Sequence, residues 1–271
     1  MSWRIGREPS VLAFAGPRAL LLQVAHPLVA AGVEQHSDYR TEPFRRAWRT
    51  LDWLFKVQFS DPTTIQRHSE MLRAVHGRVK GVSDDGTAYD AMDPALLLWV
   101  WATIVDSMVV AYGRLVTPLA DGEKERYYQE QKLVGYTTGI PAGGVCPDRW
   151  ADFRRYVDHV IDNDLRVTAT TREVAHGAAP FFRPPVSAVL APVDSFLAAA
   201  LLPRRLRAEL GLAWGPPQRT VLGALCSANR LGCQVVPTQL RHSPAEVIVR
   251  RRRPLHLRPP RLLRRTPTPA R

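Results

Sequence analysis

Eighteen consecutive residues, LLLWVWATIVDSMVVAYG from Leu96 to Gly113, carry a single charge, Asp106. A run of this length is at the lower limit for crossing a bilayer, or it is the central helix of a large helical domain, apolar all round because it is buried all round. Asp106 near its middle would cost about 2.5–3.5 kcal/mol at the centre of a bilayer. No second run reaches this length, and the flanks lack the positive cluster that orients a span. The core-helix reading is favoured. A chain of 271 residues, 45% of them hydrophobic, is ample for one large core around such a helix.

The rest of the chain reads as helix after helix. Residues 10 to 33 are apolar, interrupted at Pro17 and bent or restarted at Pro27. Thr41-Glu42-Pro43 opens a helix with proline in its first turn, and Phe44, Ala47, Trp48, Leu51, Leu54 and Phe55 recur at spacings of three and four. Asp61-Pro62 opens another, carrying Leu72, Val75 and Val79 and expected to stop near Gly81. Asp84-Asp85-Gly86 is a turn, and Asp93-Pro94 starts the long apolar helix. An acidic-started helix follows from Asp121 to Leu133, then a loop from Gly135 to Asp148. Trp150 to about Arg172 is amphipathic, Ala178 to Pro192 is a proline-rich linker, and residues 193–213 and 218–233 are short helices. Sustained alternation is missing, so the class is all-α.

The net charge of +12 is concentrated at one end. Residues 250–271 hold nine arginines and no acid, which leaves the body at +3. Such a tail buries little apolar surface, so the chain divides into a helical domain, 1–235, and a Pro/Arg-rich disordered tail, 236–271. A solvated tail is the favoured reading; an anchor for anionic lipid or nucleic acid is the alternative. Cys146, Cys226 and Cys233 form no CxxC, and their odd number does not suggest a disulfide framework. The first residues, MSWRIGREPS, lead into no apolar signal core, which gives the expectation of a cytoplasmic protein.

Two helices carry the candidate chemistry. Arg46 and Thr50, four apart, share a face of the helix from Pro43. Arg73 and His76 lie on the next. A buried Arg46 needs an anionic partner, either a carboxylate such as Asp106 or a cofactor carboxylate or phosphate. His76, with Leu72, Val75 and Val79 on its side, points toward the core or its margin. It is either a hydrogen-bonded structural residue or a metal ligand, with His68 as the internal rival; ligation wants a neutral imidazole. A histidine, a threonine and an arginine from two mostly apolar helices would suit a buried iron porphyrin. His26 and His36 read as polar contacts at helix ends. There is no HExxH, GxSxG, P-loop or GxGxxG.

An ordered set of short motifs resembles the MpaB/rubber-oxygenase (latex-clearing protein) catalytic-domain family. It runs through Arg18-Ala19-Leu20-Leu21-Leu22-Gln23-Val24-Ala25-His26-Pro27, Gly32-Val33, His36-Ser37, Arg46-x-x-x-Thr50 and Arg73-x-x-His76. Tyr89-x-Ala91-x-Asp93-Pro94, the block from Trp99 to Ser107, Leu119-x-x-x-Glu123-x-Glu125-x-Tyr127-Tyr128 and Gly139-Ile140-Pro141 continue it. The resemblance covers about residues 6 to 215.

It implies an all-α domain enclosing a b-type haem, with His76 as the iron ligand and Arg46, Thr50 and Arg73 at the cofactor. It also implies an oxygenase that takes O2 and a hydrophobic, isoprenoid or lipid-like small molecule. Two departures stand out. Latex-clearing members carry a distal lysine before the threonine, where this chain has Arg49, which is not an iron ligand. Their upstream glutamate has no secure counterpart, although Glu34 is near. The distal side would be open, water-bound or served by His26 or His36, so the catalytic residues stay unassigned. The alternative is a haem- or lipid-binding helical protein without turnover. No specific nucleic-acid partner is expected, and the basic tail is the expected place of any peripheral membrane contact.

Overall fold

Proline in the first turn marks six helix starts, where its fixed φ suits the helix and its missing N–H is no loss. The computed structural model describes residues 1–178, 186–237 and 241, with side chains at all of these except 43, 44, 46–48, 51, 178 and 186–191. In chain order the elements are α1 (Ser2–Gly6), α2 (Pro9–Val24), α3 (Pro27–His36), α4 (Pro43–Phe59), α5 (Pro62–His76), β1 (Lys80–Val82), β2 (Ala88–Asp90) and α6 (Pro94–Leu115). Then come α7 (Asp121–Thr138), α8 (Trp150–Asn163), α9 (Ala169–Ala178), α10 (Val186–Ala200), α11 (Arg204–Glu209) and α12 (Pro216–Val235). The protein is mostly helical, 72% helix against 3% strand, which bears out the all-α class.

The apolar run is α6, at the centre of the core. It is long and apolar enough to cross a membrane, but 72% of its most apolar window is buried inside the domain. It packs most extensively on α2, and also on α7, α8 and α12. Asp106 is fully buried on it. Its Oδ2 lies 2.7 Å from Arg18 Nη1 of α2, and its Oδ1 accepts from Arg154 Nη1 of α8. The Arg18 contact is an ion contact rather than an aligned hydrogen bond, because Arg18 Nη1 donates to Ser107 Oγ at 2.8 Å and Nε to Leu201 O at 2.9 Å. One carboxylate thus joins three helices. Among the described residues the charge of Asp106 meets α2 and α8; its suggested alternative role as partner of Arg46 involves a side chain outside the described residues. Beside this triad Trp101, Tyr128, Trp150 and Phe153 pack with centroid spacings of 4.8–6.3 Å.

Several boundaries differ from the expected ones. Helix α5 stops at His76 rather than near Gly81, because the chain turns into an antiparallel hairpin pairing Lys80 with Asp90 and Gly81 with Tyr89. The turn at Asp84-Asp85-Gly86 is there: Gly86 takes φ +83°, and Asp85 accepts from Ser83 Oγ and Thr87 N. Helix α7 runs on through Thr138, past the expected loop start, and ends where Gly139 takes φ +111°. The amphipathic stretch after Trp150 is two helices, broken after Asn163. Of the expected linker, residues 179–185 lie outside the described residues, and Val186 onward is helix α10 with Pro192 inside it. Pro17 likewise sits within α2, while Pro27 restarts the chain at 99° to it. The three cysteines are free thiols. Residues 242–271, most of the expected tail, lie outside the described residues.

Candidate functional site

Helix α5 is anchored at both ends. At its start Asp61 Oδ1 accepts from Thr64 N at 3.0 Å and Oδ2 from Thr64 Oγ1 at 2.7 Å, a side-chain cap on otherwise unpaired backbone. At its end the His76 carbonyl accepts from Val79 N, and Val79 O accepts from Ala91 N, which fastens the last turn to the hairpin. The hairpin lies against α3: a Cβ at Gly32 would sit 3.5 Å from both Tyr89 and Val79. Along its length α5 packs on α4 and α7.

Ser69, Arg73 and His76 share one face of α5 at spacings of four and three. Arg73 donates from Nη1 to Thr137 O at 2.7 Å. It therefore closes a free carbonyl at the C-terminal end of α7, where the helix dipole also favours a cation. Its methylenes run past Gly139, where an added Cβ would approach Arg73 Cγ and Cδ to 3.5 Å and Met92 Cε to 3.3 Å. His76 is half-buried, and its Nδ1 has neither solvent contact nor a hydrogen-bond partner. Burial pushes its pKa below the ordinary imidazole value, so the ring is neutral at physiological pH. Ser69 is 2% exposed and its Oγ also lacks a partner. Buried polar atoms are nearly always satisfied, so two such atoms on one face of one helix mark a place for a ligand group or water. Sequence reading passed over Ser69; its spacing to Arg73 and His76 was the available signal.

The outer side of α5 is more apolar than its helical period implies. Val75 was expected beside His76, but it is 54% exposed and Met71 is 56% exposed. The 3.6-residue period identifies apolar faces without saying which faces inward. His68, the rival ligand, is half-buried, and its carbonyl accepts from Trp53 Nε1 of α4 at 3.3 Å. On α4, Val57 and Phe59 are buried, and Thr50 is exposed. The side chain of Arg46 lies outside the described residues. Arg49 is exposed and donates from Nη2 to Asp38 Oδ1 at 2.9 Å and Oδ2 at 3.1 Å, beside Arg45 at 3.1 Å. Burial opposes the Asp38 charge, but the Arg45 hydrogen bond and the Arg49 charge outweigh it and hold that carboxyl below its ordinary range.

The remaining histidines divide. His36 meets its expected role at a helix end: it is exposed, and its Nε2 lies 3.0 Å from Lys80 O. His26, at the start of α3, differs, because its Nδ1 is buried without a partner. Burial lowers its pKa, with Asp164 pulling the other way. Glu34 is engaged by Arg40 at 3.1 Å. Among the described residues no three His, Cys, Asp or Glu side chains converge as a metal cluster. Among the described residues, then, His76 presents its imidazole without two further His, Cys, Asp or Glu side chains beside it to form such a cluster.

Two relatives resemble the chain, the uncharacterized protein Mb2261 of Mycobacterium bovis and the uncharacterized protein Rv2237 of Mycobacterium tuberculosis. Each is 29% identical over 224 residues, covering 80% of this chain and 87% of the relative. No solved structure matches it. A family model described as "ER-bound oxygenase mpaB/B'/Rubber oxygenase, catalytic domain" matches residues 3–231. That span takes in the core helix α6, its ion-paired partners α2 and α8, and the face of α5 that carries His76. The chain belongs to the mpaB/B'/rubber oxygenase catalytic-domain family, a family of oxygenases.

Proposed function

We propose that the protein is a haem b-dependent oxygenase acting on a hydrophobic, isoprenoid or lipid-like small molecule with O2, and that the helical domain encloses the haem. The observation that carries this reading is the His76 imidazole: neutral, half-buried, with an uncommitted, buried Nδ1, on a helix anchored at both ends. His76 would hold the iron. Arg46 would meet a propionate, and Thr50 would hydrogen-bond at the cofactor edge. Arg73 is a positioning residue, since its bond to Thr137 O fixes α5 on α7 and so aims the imidazole. When bound, haem would supply the oxygen-binding and redox chemistry, while the protein sets orientation and surroundings.

A second reading, a haem- or lipid-binding protein without turnover, is favoured by Arg49. The residue before Thr50 is committed to Asp38 at the surface, so it offers no base to the distal side. The absorption spectrum of the purified protein tests both. A Soret band is expected, lost or shifted in His76→Ala. A folded protein that stays colourless and takes up no haem overturns both readings. A haem-loaded protein that consumes no oxygen with isoprenoid or lipid substrates leaves the second alone.

A further inference from the structure

Helix α11 divides its arginines between two uses. Arg205 is committed: it donates to the carbonyls of Ile161 and Leu165 at the end of α8 and pairs with Glu209 at 3.0 Å. Arg204 and Arg207, three apart and so neighbours on the helix surface, are not. With Arg219 from the first turn of α12 they line a cavity of about 410 Å³, together with Ala208, Leu212 and Trp214. Among the described residues no carboxylate lines this cavity, and none of its three guanidiniums is ion-paired.

The connector between α11 and α12 holds the cavity in shape. Gly211 turns the chain at φ +68°, and Leu212 N donates to Arg207 O at 2.9 Å. The Trp214 ring stacks on Phe196 of α10 at 5.6 Å and carries the Arg207 guanidinium 4.8 Å from its centroid. Arg207 Nη1 also donates to Ala199 O at 3.3 Å. Arg207 is thus fixed and half-buried, whereas Arg204 and Arg219 are exposed. Burial, and then the charges of Arg204 and Arg219, disfavour the charged form of Arg207. Three like charges share one concavity unopposed, a repulsion that a bound anion would remove.

Charge and shape choose the anion. One carboxylate offers a single charge and two oxygens in one plane. A phosphoryl group presents three acceptor oxygens in different directions, which suits guanidinium forks arriving from two helices. Two phosphoryl groups together come close to balancing three positive charges, and the cavity volume is in the range of small-molecule sites. We propose that Arg204, Arg207 and Arg219 form a binding site for the diphosphate group of a small molecule. The site uses no residue of the His76 face of α5 and does not depend on the haem reading.

Isothermal titration calorimetry of the full chain with inorganic pyrophosphate, at constant ionic strength, tests it. Binding at one site is expected, at least about tenfold tighter than for inorganic phosphate or citrate, with a melting temperature that rises with pyrophosphate. Arg204→Gln/Arg219→Gln should weaken it at least about tenfold, since each lost bond to a charged group is worth that much. Without ligand this variant should melt no lower than wild type, because it removes only mutual repulsion. Arg126→Gln/Arg155→Gln takes the same charge from side chains 75 and 77% exposed elsewhere and should bind as wild type does. Absence of pyrophosphate binding overturns the proposal. So does wild-type affinity in Arg204→Gln/Arg219→Gln, which would assign the anion to other arginines of the chain. Equal weakening by the two double variants would reduce the effect to general surface charge, and citrate binding as tight as pyrophosphate would remove the phosphoryl selectivity. A ligand-free Arg204→Gln/Arg219→Gln that melts well below wild type would make these arginines structural. Each of these three also overturns it.

Discussion

Replacing Asp106 by alanine removes the one carboxylate shared by α2, α6 and α8. Arg18 is 5% exposed, and without Asp106 its guanidinium keeps only Ser107 Oγ and Leu201 O as neutral acceptors in a dry interior. An uncompensated buried charge costs about 3–5 kcal/mol. Arg154 is different: it is 30% exposed, and Arg154→Ala takes a hydrogen-bond donor from the buried Asp106 Oδ1 while leaving the Arg18 charge in place, so it should cost about 1–3 kcal/mol. In a domain of this size a kcal/mol moves the melting temperature by about 2–4 °C. Thermal unfolding followed by far-ultraviolet circular dichroism should then show Asp106→Ala melting about 6–20 °C below wild type and Arg154→Ala about 2–12 °C below, by the same conversion. Arg18→Met/Asp106→Leu should recover most of the loss, because apolar replacements of a buried pair are often neutral. Asp106→Ala within about 1 kcal/mol of wild type, or a double variant no more stable than the single, would refute the assignment of Arg18 to Asp106 as a desolvated pair.

Gly177→Ala on α9 would place a Cβ 2.7 Å from Cε2 and 2.9 Å from Cδ2 of Tyr39, a ring only 1% exposed, so a loss of about 1–3 kcal/mol in chemical denaturation is expected. The pH dependence follows from His76 and His26, whose folded pKa values are lowered by burial, against Asp164 in the case of His26. Their contribution is complete above the unfolded value of 6.5 and is lost as pH falls through the lower folded values, so His76→Gln should flatten the acid-side slope by up to about 1.4 kcal/mol per pH unit; an unchanged slope would refute it.

Much of the helical order was legible because helix starts are local events. Asp61-Pro62 and Asp93-Pro94 each combine a capping carboxylate with a proline that suits the first turn, and both open helices where expected. Helix ends were less legible. Nothing local in Gly77 to Gly81 says that Val79 will bond to Ala91 and draw the chain into a hairpin, so α5 was expected to be longer than it is. The candidate site was legible in the same uneven way. His76 stood out by residue type and by family resemblance, whereas the engagement of Arg73 with the end of α7 and the missing partners of Ser69 and His76 Nδ1 depend on a helix distant in sequence.

By itself the sequence determined that the chain is all-α, that residues 96–113 form its central helix, and that it belongs with the oxygenases of its family. These follow from patterns within a helix or from motifs in order along the chain. Only the tertiary structure decided which charges meet and which apolar faces stay outside. Asp106 found Arg18 and Arg154, and Val75 and Leu231 face water while Leu222 does not. The physical reason is that an ion pair and a buried face are properties of two surfaces brought together, and a helical period describes only one of them.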